Sequence, residues 1–486
     1  MIAYLRSAVL KCLRMNRHRR SFLKSALLTT ATISAGRLLS GPNLLAADSP
    51  GSKLNVVAVG GGGRAMNHID WILTQSKDNL MAVVDPDKKR HDAIRQWMQK
   101  KELDSSKLQC FTDYRVMFDK IGKELDAVLI ATPNHNHAPP ALRAIDLGKA
   151  VYCEKPLTHD IAESRKLRQA AASSKAPTQM GNQGHCEEGY RRLCEFVWGG
   201  VVGNITETYS WTDRANGGVG PRPPSVPAPE NLNWDSWLGP APFRQFHDDL
   251  HPHEWHGWYD FGNGSIGNMG CHVLDGVFWA LKLEHPTMIE CEEIRDGTDE
   301  RYPRGSRLRW DFPARGGMPS VKVYWYEGLR KDFQGDASGG LRQAKGDAQN
   351  LPPLLLELKK QYPDEEFDTN GTLYVGEKGI LYTATYGGRM HLLPMEKMQS
   401  LSAPPKSLPR PKNIMTDFLD ACREGKKETA APFDYGARLT EFTLLGNLAQ
   451  KAGVGQKVEW AGPEMLVRNS AKLNDWVKRP YRDGWA

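Results

Sequence analysis

No run of the 486-residue sequence is apolar enough for a stable membrane span. The strongest, from Ser25 to Leu39, is interrupted by Thr, Ser and Gly, whereas a span needs about 20 predominantly apolar residues. The eight cysteines include no Cys-x-x-Cys pair, and seven of them lie beyond residue 47. This odd, scattered set predicts buried free thiols, although an oxidising compartment would permit a bridge.

Acidic residues are absent from the first 47 positions, which contain eight basic residues. The formal charge of +7 therefore belongs to this leader, and the remainder of the chain carries a formal charge of −1. A chain balanced in this way lacks the basic surface on which nucleic-acid binding depends, so we expect no nucleic-acid partner.

The leader has the organisation of an export signal. Arg19-Arg20-Ser21-Phe22-Leu23-Lys24 is followed by the weak apolar run and then by the small residues Ala46-Ala47. Paired arginines before such a run resemble the twin-arginine class, which exports folded proteins. We therefore predict a signal peptide over residues 1–47, a periplasmic mature protein and no stable membrane insertion after cleavage. The alternative, a short membrane anchor, is disfavoured by the interrupted run.

Strand-like and helical patterns alternate from Leu54 to Ala172, which predicts a parallel sheet covered on both faces. Beyond Thr178 the strand-like runs are separated by long loops, several rich in Pro and Gly. The fold class predicted is α/β, with a Rossmann dinucleotide-binding domain over residues 48–177 and a C-terminal α/β domain over residues 178–486.

A glycine-rich turn, Gly60-x-Gly62-x-x-Ala65, lies between a predicted strand and a predicted helix. The first glycine permits the tight turn, the second lets backbone N–H groups approach a pyrophosphate, and a small residue suffices at the third position. Gly63 and Arg64 belong to the same turn. Asp85 ends the next strand and can accept hydrogen bonds from both ribose hydroxyls, which favours NAD over NADP. The alternative is a purely structural turn.

Five further motifs together resemble the Gfo/Idh/MocA oxidoreductases. They are Ala131-Thr132-Pro133-Asn134-His135-Asn136-His137, Leu147-Gly148-Lys149-Ala150-Val151, Glu154-Lys155-Pro156, Gly181-Asn182-Gln183-Gly184-His185 and Gly270-Cys271-His272-Val273-Leu274-Asp275. The resemblance implies that the second domain forms a large open, mostly antiparallel sheet beside the active site. It also implies assembly into a homo-oligomer, a dimer or tetramer.

The resemblance also implies roles for individual residues. Lys155 would contact the nicotinamide ribose and the reacting hydroxyl, where a fixed cation lowers the hydroxyl pKa. His272 would be the general base. The other residues assigned to the cofactor are Thr132, Asn134, His137 and Glu154. Those assigned to the substrate are Asn182, Gln183, His185, His256 and Asn268.

One position departs from the family pattern of Asp-x-x-x-His, because Asn268 stands where the acid is expected. An amide cannot stabilise an imidazolium as a carboxylate does. Asn268 could instead serve as a helix N-cap. Asp275, three residues beyond His272, is the candidate catalytic partner that could replace the acid.

Four histidines, at positions 247, 251, 253 and 256, precede the His272 motif. A metal site is conceivable from this composition, but Pro252 interrupts the segment and no helix presents ligands at i and i+4. We therefore predict pocket or structural histidines and no metal.

These features predict an exported, NAD-dependent oxidoreductase that acts on a hydroxyl of a sugar or sugar derivative and holds its cofactor tightly. Export motivates an alternative, because a retained cofactor must be reoxidised in place. That alternative is redox-neutral glycoside cleavage or epimerisation through a transient keto-sugar. A binding protein without chemistry is a third possibility, raised by Asn268 and opposed by the intact Lys155 and His272.

Overall fold

The computed structural model describes residues 53–334 and 342–485, so the predicted signal peptide lies outside the described residues. The first sheet has six parallel strands in the order β3-β2-β1-β4-β5-β6. Their bounds are β1 Asn55–Val59, β2 Asn79–Val84, β3 Gln109–Phe111, β4 Ala127–Ile130, β5 Ala150–Cys153 and β6 Thr178–Met180. The strand order reverses between β1 and β4, which creates a crevice at their carboxyl ends.

Helices cover both faces of this sheet, which explains why its central strands are apolar throughout. They are α1 Gly63–Asp70, α2 Lys88–Lys100, α3 Tyr114–Ile121, α4 Ala138–Asp146 and α5 Ile161–Ser173. Aspartates begin three of them: Asp87 caps α2, Asp113 caps α3, and Asp160 forms a capping box with Glu163 on α5. Each such cap contributes about 1 kcal/mol to helix stability.

The second sheet has nine strands in the order β13-β12-β11-β7-β10-β9-β8-β14-β15. All neighbouring pairs are antiparallel except β7 and β10. The strands are β7 Ile205–Thr212, β8 Met288–Arg295, β9 Gly305–Phe312, β10 Val321–Gly328, β11 Gly371–Gly376, β12 Gly379–Ala384, β13 His391–Leu393, β14 Lys457–Ala461 and β15 Leu466–Val467. The predicted fold class, with a large and mostly antiparallel second sheet, is confirmed.

The remaining helices pack on this sheet or join it to the first. They are α6 Glu188–Trp198, α7 Trp234–Leu238, α8 Gly264–Val273, α9 Asp275–Ala280, α10 Pro353–Gln361, α11 Met395–Gln399, α12 Ile414–Glu424, α13 Phe433–Ala452 and α14 Ala471–Val477. The long helix α13 contacts α5, α8 and strands β8 and β9, so it is buried over most of its length. It thereby joins α8, which carries His272, to α5 of the first domain.

The sequence prediction placed the domain boundary at residue 177, but β6 lies beyond it and completes the parallel sheet. The seven cysteines among the described residues are all free thiols. None of the helices that the structure describes is both long and apolar enough to cross a membrane.

The segment over residues 478–485 runs back across the helices of the first sheet. The Tyr481 hydroxyl donates a hydrogen bond to Glu163 of α5 at 2.6 Å. The Arg115 guanidinium of α3 stacks over Trp485, 3.7 Å from the ring centroid. Arg482 donates to the loop that follows α7. This segment therefore ties the loop after α7 to helices α3 and α5 of the first domain.

Candidate active site

The carboxyl ends of β1, β2, β4 and β5 open into a cavity of about 450 Å³. One wall consists of the loops that follow these strands. The opposite wall consists of Asn268 and His272 from α8, Gln183, and residues of the segment 237–256. This position, at the point where the strand order reverses, is the usual ligand crevice of an open parallel sheet.

The predicted glycine turn has the geometry that pyrophosphate binding requires. Gly60 has φ +107°, and a Cβ there would lie 2.5 Å from the carbonyl oxygen of Ala131, so only glycine fits. Gly62 is the N-cap of α1, and Gly63 and Arg64 also face the cavity. Ala65 is buried against the sheet, as the small third position of the pattern predicts. The free N–H groups at this helix start form an anion site.

Asp85 lies at the same end of the cavity and is almost fully buried. Its two carboxylate oxygens accept hydrogen bonds from the N–H groups of Gly61, at 2.8 Å, and Asp87, at 2.9 Å. Burial raises the pKa of Asp85 to about 6, although these two N–H groups act in the opposite direction. Arg90 also lines this end. The carboxylate is thus held in place with lone pairs free for further donors.

The loop after β4 brings Thr132, Asn134 and His137 to the cavity, as predicted. Their hydrogen bonds are largely internal to the protein. Thr132 Oγ1 donates to the carbonyl of Asn136 at 2.9 Å, and the two ring nitrogens of His137 face the carbonyls of Thr132 and Pro156. Thr132 and His137 therefore shape the loop, and burial lowers the pKa of His137.

Glu154 is a buried carboxylate that links α1 to β5. One oxygen accepts from Arg64 Nε and faces His68 Nε2, both at 2.9 Å. Burial alone would raise the pKa of Glu154, but the interactions with His68, Arg64 and Lys155 outweigh it and hold the pKa well below its ordinary value. Glu154 therefore supplies a permanent negative charge beside Lys155.

Lys155 extends from the end of β5 across the cavity to α8. Its Nζ donates a hydrogen bond to the backbone carbonyl of Asn268 at 2.7 Å, one helical turn before His272. Burial lowers the pKa of Lys155, and the carboxylate of Glu154 opposes that shift. The structure thus brings Lys155, Asn268 and His272 to one wall of the cavity.

The imidazole of His272 is buried, and its Nδ1 has no hydrogen-bond partner among the described residues. Burial, and then the positive charge of Lys155, lowers its pKa well below the ordinary value. His272 is consequently neutral at pH 7 and can accept a proton. Asn268 lies inside α8, whose N-cap is Asn263, so the suggestion that Asn268 is an N-cap is wrong.

Asp275 does not partner His272. Helix α8 ends at Val273 and a separate helix begins at Asp275, so the three-residue spacing does not place the two side chains on one face. The Asp275 carboxylate instead contacts His185 Nδ1 at 3.0 Å and accepts from the hydroxyl of Tyr435. His185 stacks on Trp279 in the same buried cluster, outside the residues that line the cavity.

Two further predicted substrate residues follow β6. Gln183 lines the cavity and donates from Nε2 to the Tyr386 hydroxyl at 2.9 Å. Asn182 is fully buried, and neither atom of its amide has a hydrogen-bond partner in the part of the chain that the structure describes.

The four histidines of the segment 247–256 have different surroundings. His251 Nε2 forms a hydrogen bond with the Asp87 carboxylate at 3.1 Å, and the ring of His247 packs against Trp258. His253 and His256 face the cavity, and burial lowers the pKa of His256 to about 3. Within residues 53–334 and 342–485, no group of three or more His, Cys, Asp or Glu side chains is arranged to hold a metal ion.

Tyr386 is a site residue that the sequence analysis missed. It has φ 63°, an unusual backbone conformation for a residue other than glycine. Its ring lies edge-on to His272, with centroids 5.3 Å apart, and a Cβ on Gly184 would lie 2.2 Å from the same ring. The sequence feature related to Tyr386 is the pair Gly184 and Gly189. The absence of side chains at these two positions leaves room for the loop that carries Tyr386.

A glycine turn, a buried ribose-side carboxylate and a lysine–histidine pair in one crevice define a dinucleotide-dependent oxidoreductase site. A family model described as "Oxidoreductase family, NAD-binding Rossmann fold" matches residues 54–182. A second, "Oxidoreductase family, C-terminal alpha/beta domain", matches residues 201–300. The chain belongs to the Gfo/Idh/MocA oxidoreductase family.

Curated relatives share short stretches with the chain. Inositol 2-dehydrogenase of Corynebacterium glutamicum is 30% identical over 154 residues, which are 31% of this chain and 43% of the relative. Inositol 2-dehydrogenase 3 of Saccharopolyspora erythraea is 38% identical over 87 residues, 18% of this chain and 26% of the relative. The matched stretches thus span less than half the length of these relatives.

Solved structures share the fold. The WlbA dehydrogenase from Bordetella pertussis, in complex with NADH and UDP-GlcNAcA, has a TM-score of 0.55 at 14% identity, covering 84% of this chain and 99% of that one. The myo-inositol dehydrogenase from Lactobacillus casei, in complex with NAD(H) and myo-inositol, has a TM-score of 0.50 at 15% identity, covering 87% and 99%. At these identities the likeness establishes the fold alone.

Proposed function

We propose that this protein is an NAD-dependent oxidoreductase that acts on a hydroxyl group of a sugar or sugar derivative. The observation that carries the proposal is the contact of Lys155 with the carbonyl of Asn268, one turn from a neutral His272, inside the cavity that the glycine turn opens. A cation and a neutral base on one wall are what removal of a hydroxyl proton requires.

The residues present fit NAD. Gly60 forms a turn that a Cβ would block, and the N-terminus of α1 is available to a pyrophosphate. Asp85 would hold the ribose hydroxyls, with NAD preferred because its carboxylate repels a 2′-phosphate. Thr132, Asn134 and Glu154 would line the rest of the dinucleotide. The bound cofactor supplies the hydride acceptor.

The chain's own residues would manage the proton. Lys155, fixed by Asn268, orients the substrate oxygen and stabilises negative charge on it. His272 takes the proton because burial and Lys155 keep the imidazole neutral. Glu154 keeps its charge and thereby helps Lys155 to remain protonated despite burial.

Sugar-type substrates are favoured by two observations. The relatives named above are inositol dehydrogenases, which act on a polyhydroxylated ring. The cavity wall opposite the glycine turn presents Trp237, Trp255 and the imidazole of His256. Flat rings beside polar groups suit the alternating apolar and hydroxyl surfaces of a sugar.

We also propose that the protein is exported to the periplasm by the twin-arginine route and carries its cofactor with it. The support is Arg19-Arg20 and the Ala46-Ala47 junction in the leader. Replacing both arginines by lysine should retain the protein in the cytoplasm, as followed by fractionation and immunoblotting. Unchanged periplasmic recovery of that variant would contradict the export proposal.

Export favours a second candidate function, redox-neutral cleavage or epimerisation of a glycoside. Outside the cytoplasm a retained cofactor cannot exchange readily, so the hydride would return to the same substrate. Oxidation of one ring carbon acidifies the neighbouring C–H, which permits elimination or inversion there. Appearance of NADH in solution would favour net oxidation, and glycoside cleavage without net change of cofactor would favour this alternative.

We further propose that the protein forms a homo-oligomer through the outer face of the second sheet. On this face Tyr209 and Tyr324 stack with centroids 4.9 Å apart, and both are only half-buried. Arg309 beside them pairs with Glu290 and Glu292. Light scattering of the purified protein should give a dimer or tetramer, and a monomer would contradict this.

Single-turnover absorbance at the reduced-nicotinamide band tests the enzymatic proposal directly. Purified protein should contain NAD or NADH by mass spectrometry, and sugars should change its spectrum. Lys155→Met should abolish the change while cofactor stays bound, because Gly60, Gly62 and Asp85, which would hold the pyrophosphate and a ribose, are unchanged. His272→Ala should slow it by about two to four orders of magnitude. Full-rate transfer in both variants would refute the proposed site.

A further inference from the structure

A second cavity of about 350 Å³ lies beside the active-site cavity. His253 and His256 line both cavities, so these two residues form the partition between them. The remaining walls come from the loop over residues 215–219, from Asp249 and Glu254, and from three arginines, Arg301, Arg304 and Arg342. The lining is therefore mainly polar, which distinguishes it from an internal packing defect.

The charges around this second cavity are paired with one another. Arg301 contacts Asp249 at 2.7 Å, and Arg342 pairs with Glu254. Arg304 is bound to Asp296 at 2.7 Å. Each guanidinium thus has a carboxylate partner, and the cavity has no large excess of either sign. A strongly anionic or cationic ligand would gain little from such a wall, whereas hydroxyl groups can both donate to the carboxylates and accept from the guanidinium groups.

Two polar groups in the lining have unused hydrogen-bonding capacity. The Asn216 side chain is more than nine-tenths buried, and its amide nitrogen has no partner among the described residues. The Nε of Arg301 likewise has none within residues 53–334 and 342–485. Buried donors are normally paired, and unpaired ones are costly.

The partition is made of flat rings. The imidazole of His256 stacks on Trp255 with centroids 3.6 Å apart, and the ring of His253 lies 4.6 Å away. His256 Nδ1 donates to the carbonyl of His253 at 2.8 Å, which leaves Nε2 as an acceptor. The side chain of His253 is 44% exposed, so its ring has room to move aside.

We propose that this second cavity binds a neutral sugar ring joined by a glycosidic bond to the ring that reacts beside Lys155. The substrate is then a disaccharide or a longer glycoside rather than a free monosaccharide. This inference rests on the proposed function, because it takes the Lys155–His272 wall as the place of reaction. The polar, charge-paired lining selects a polyhydroxylated group over an apolar or ionic one.

The test compares glucose, galactose and N-acetylglucosamine with maltose, cellobiose, lactose and chitobiose, by single-turnover absorbance and by titration calorimetry. We expect kcat/KM for at least one disaccharide to exceed that of its monosaccharides about tenfold. Asn216→Leu and Arg342→Ala should each reduce the disaccharide-to-monosaccharide ratio toward one. Arg389→Ala, which removes an exposed ion pair with Glu366, is the matched control and should leave the ratio unchanged.

The outcomes separate this proposal from the proposed function. If no sugar alters the cofactor spectrum but calorimetry shows disaccharide binding that Asn216→Leu weakens, the second cavity is supported and the oxidoreductase assignment fails. A wild-type ratio near one by both methods would overturn the proposal. So would a disaccharide-to-monosaccharide ratio that survives both substitutions.

Discussion

Substitution of Glu154 by glutamine should destabilise the protein by about 3 kcal/mol at pH 7. The Glu154 side chain is 6% exposed and meets Arg64 and His68 through one oxygen. The amide has nearly the same shape but leaves the buried charge of Lys155 without its neighbouring carboxylate. Breaking a buried ion pair costs about 3–5 kcal/mol. Because the side chain of Arg64 is 38% exposed and can be solvated once its partner is lost, we expect a cost at the lower end of this range.

The same substitution should change how stability depends on pH. The folded-state pKa of Glu154 lies below its unfolded value, so its contribution is complete above the unfolded pKa and is lost as the pH falls through the folded pKa. The difference in the free energy of unfolding between wild type and Glu154→Gln should therefore be constant above about pH 5 and shrink as acid is added.

Urea unfolding followed by tryptophan fluorescence, from pH 3 to pH 8, measures both effects. Glu366→Gln is the matched control, because Glu366 pairs with Arg389 at the surface, where both side chains are more than half exposed. Its expected cost is below about 0.5 kcal/mol at every pH. A loss from Glu154→Gln as small as that of the control, or one that persists unchanged to pH 3, would show that the buried carboxylate does not hold α1 to β5.

Substitutions at three further positions address the site. Asp85→Ala should weaken NAD binding and reduce the discrimination against NADP in fluorescence titrations, and an intact preference would contradict the assigned ribose contact. Asn268→Asp should raise the pKa of His272, because a nearby anion favours imidazolium; the pH at which the hydride-transfer rate rises should then move upward, and an unchanged profile would refute the interaction. Tyr386→Leu should lower kcat about tenfold with a smaller effect on KM, and Tyr386→Phe should retain most activity if the ring, rather than the hydroxyl, positions His272.

Local sequence signals were sufficient to bring together one wall of the cavity. Gly60 and Asp85 each follow a buried strand, and the ends of neighbouring parallel strands meet at one edge of the sheet. Thr132 and Lys155, whose roles the family resemblance implied, follow β4 and β5 and line the same cavity. Sequence order within a parallel sheet therefore predicts which loops share a cavity.

The other half of the site depends on contacts between distant residues, which local patterns do not encode. Asp275 was misassigned because a break at Leu274 separates two helices that a continuous helical pattern would have joined. Tyr386 reaches His272 from a loop more than 100 residues away, and its position follows from the pairing of β11, β12 and β13. The contact of Trp485 with Arg115 likewise joins residues that no short-range pattern relates.

The bond from Lys155 to Asn268 ends on a main-chain oxygen, and this has a consequence for how such proteins diverge. Any residue that keeps α8 helical at position 268 supplies this carbonyl. Exchange of an acid for an amide there therefore leaves the hydrogen bond of Lys155 intact. Mutation at this position can therefore adjust the basicity of His272 without releasing its neighbour. Single substitutions at this position would thus allow related enzymes to adapt to substrate hydroxyls of different acidity, while each variant still folds and binds its cofactor.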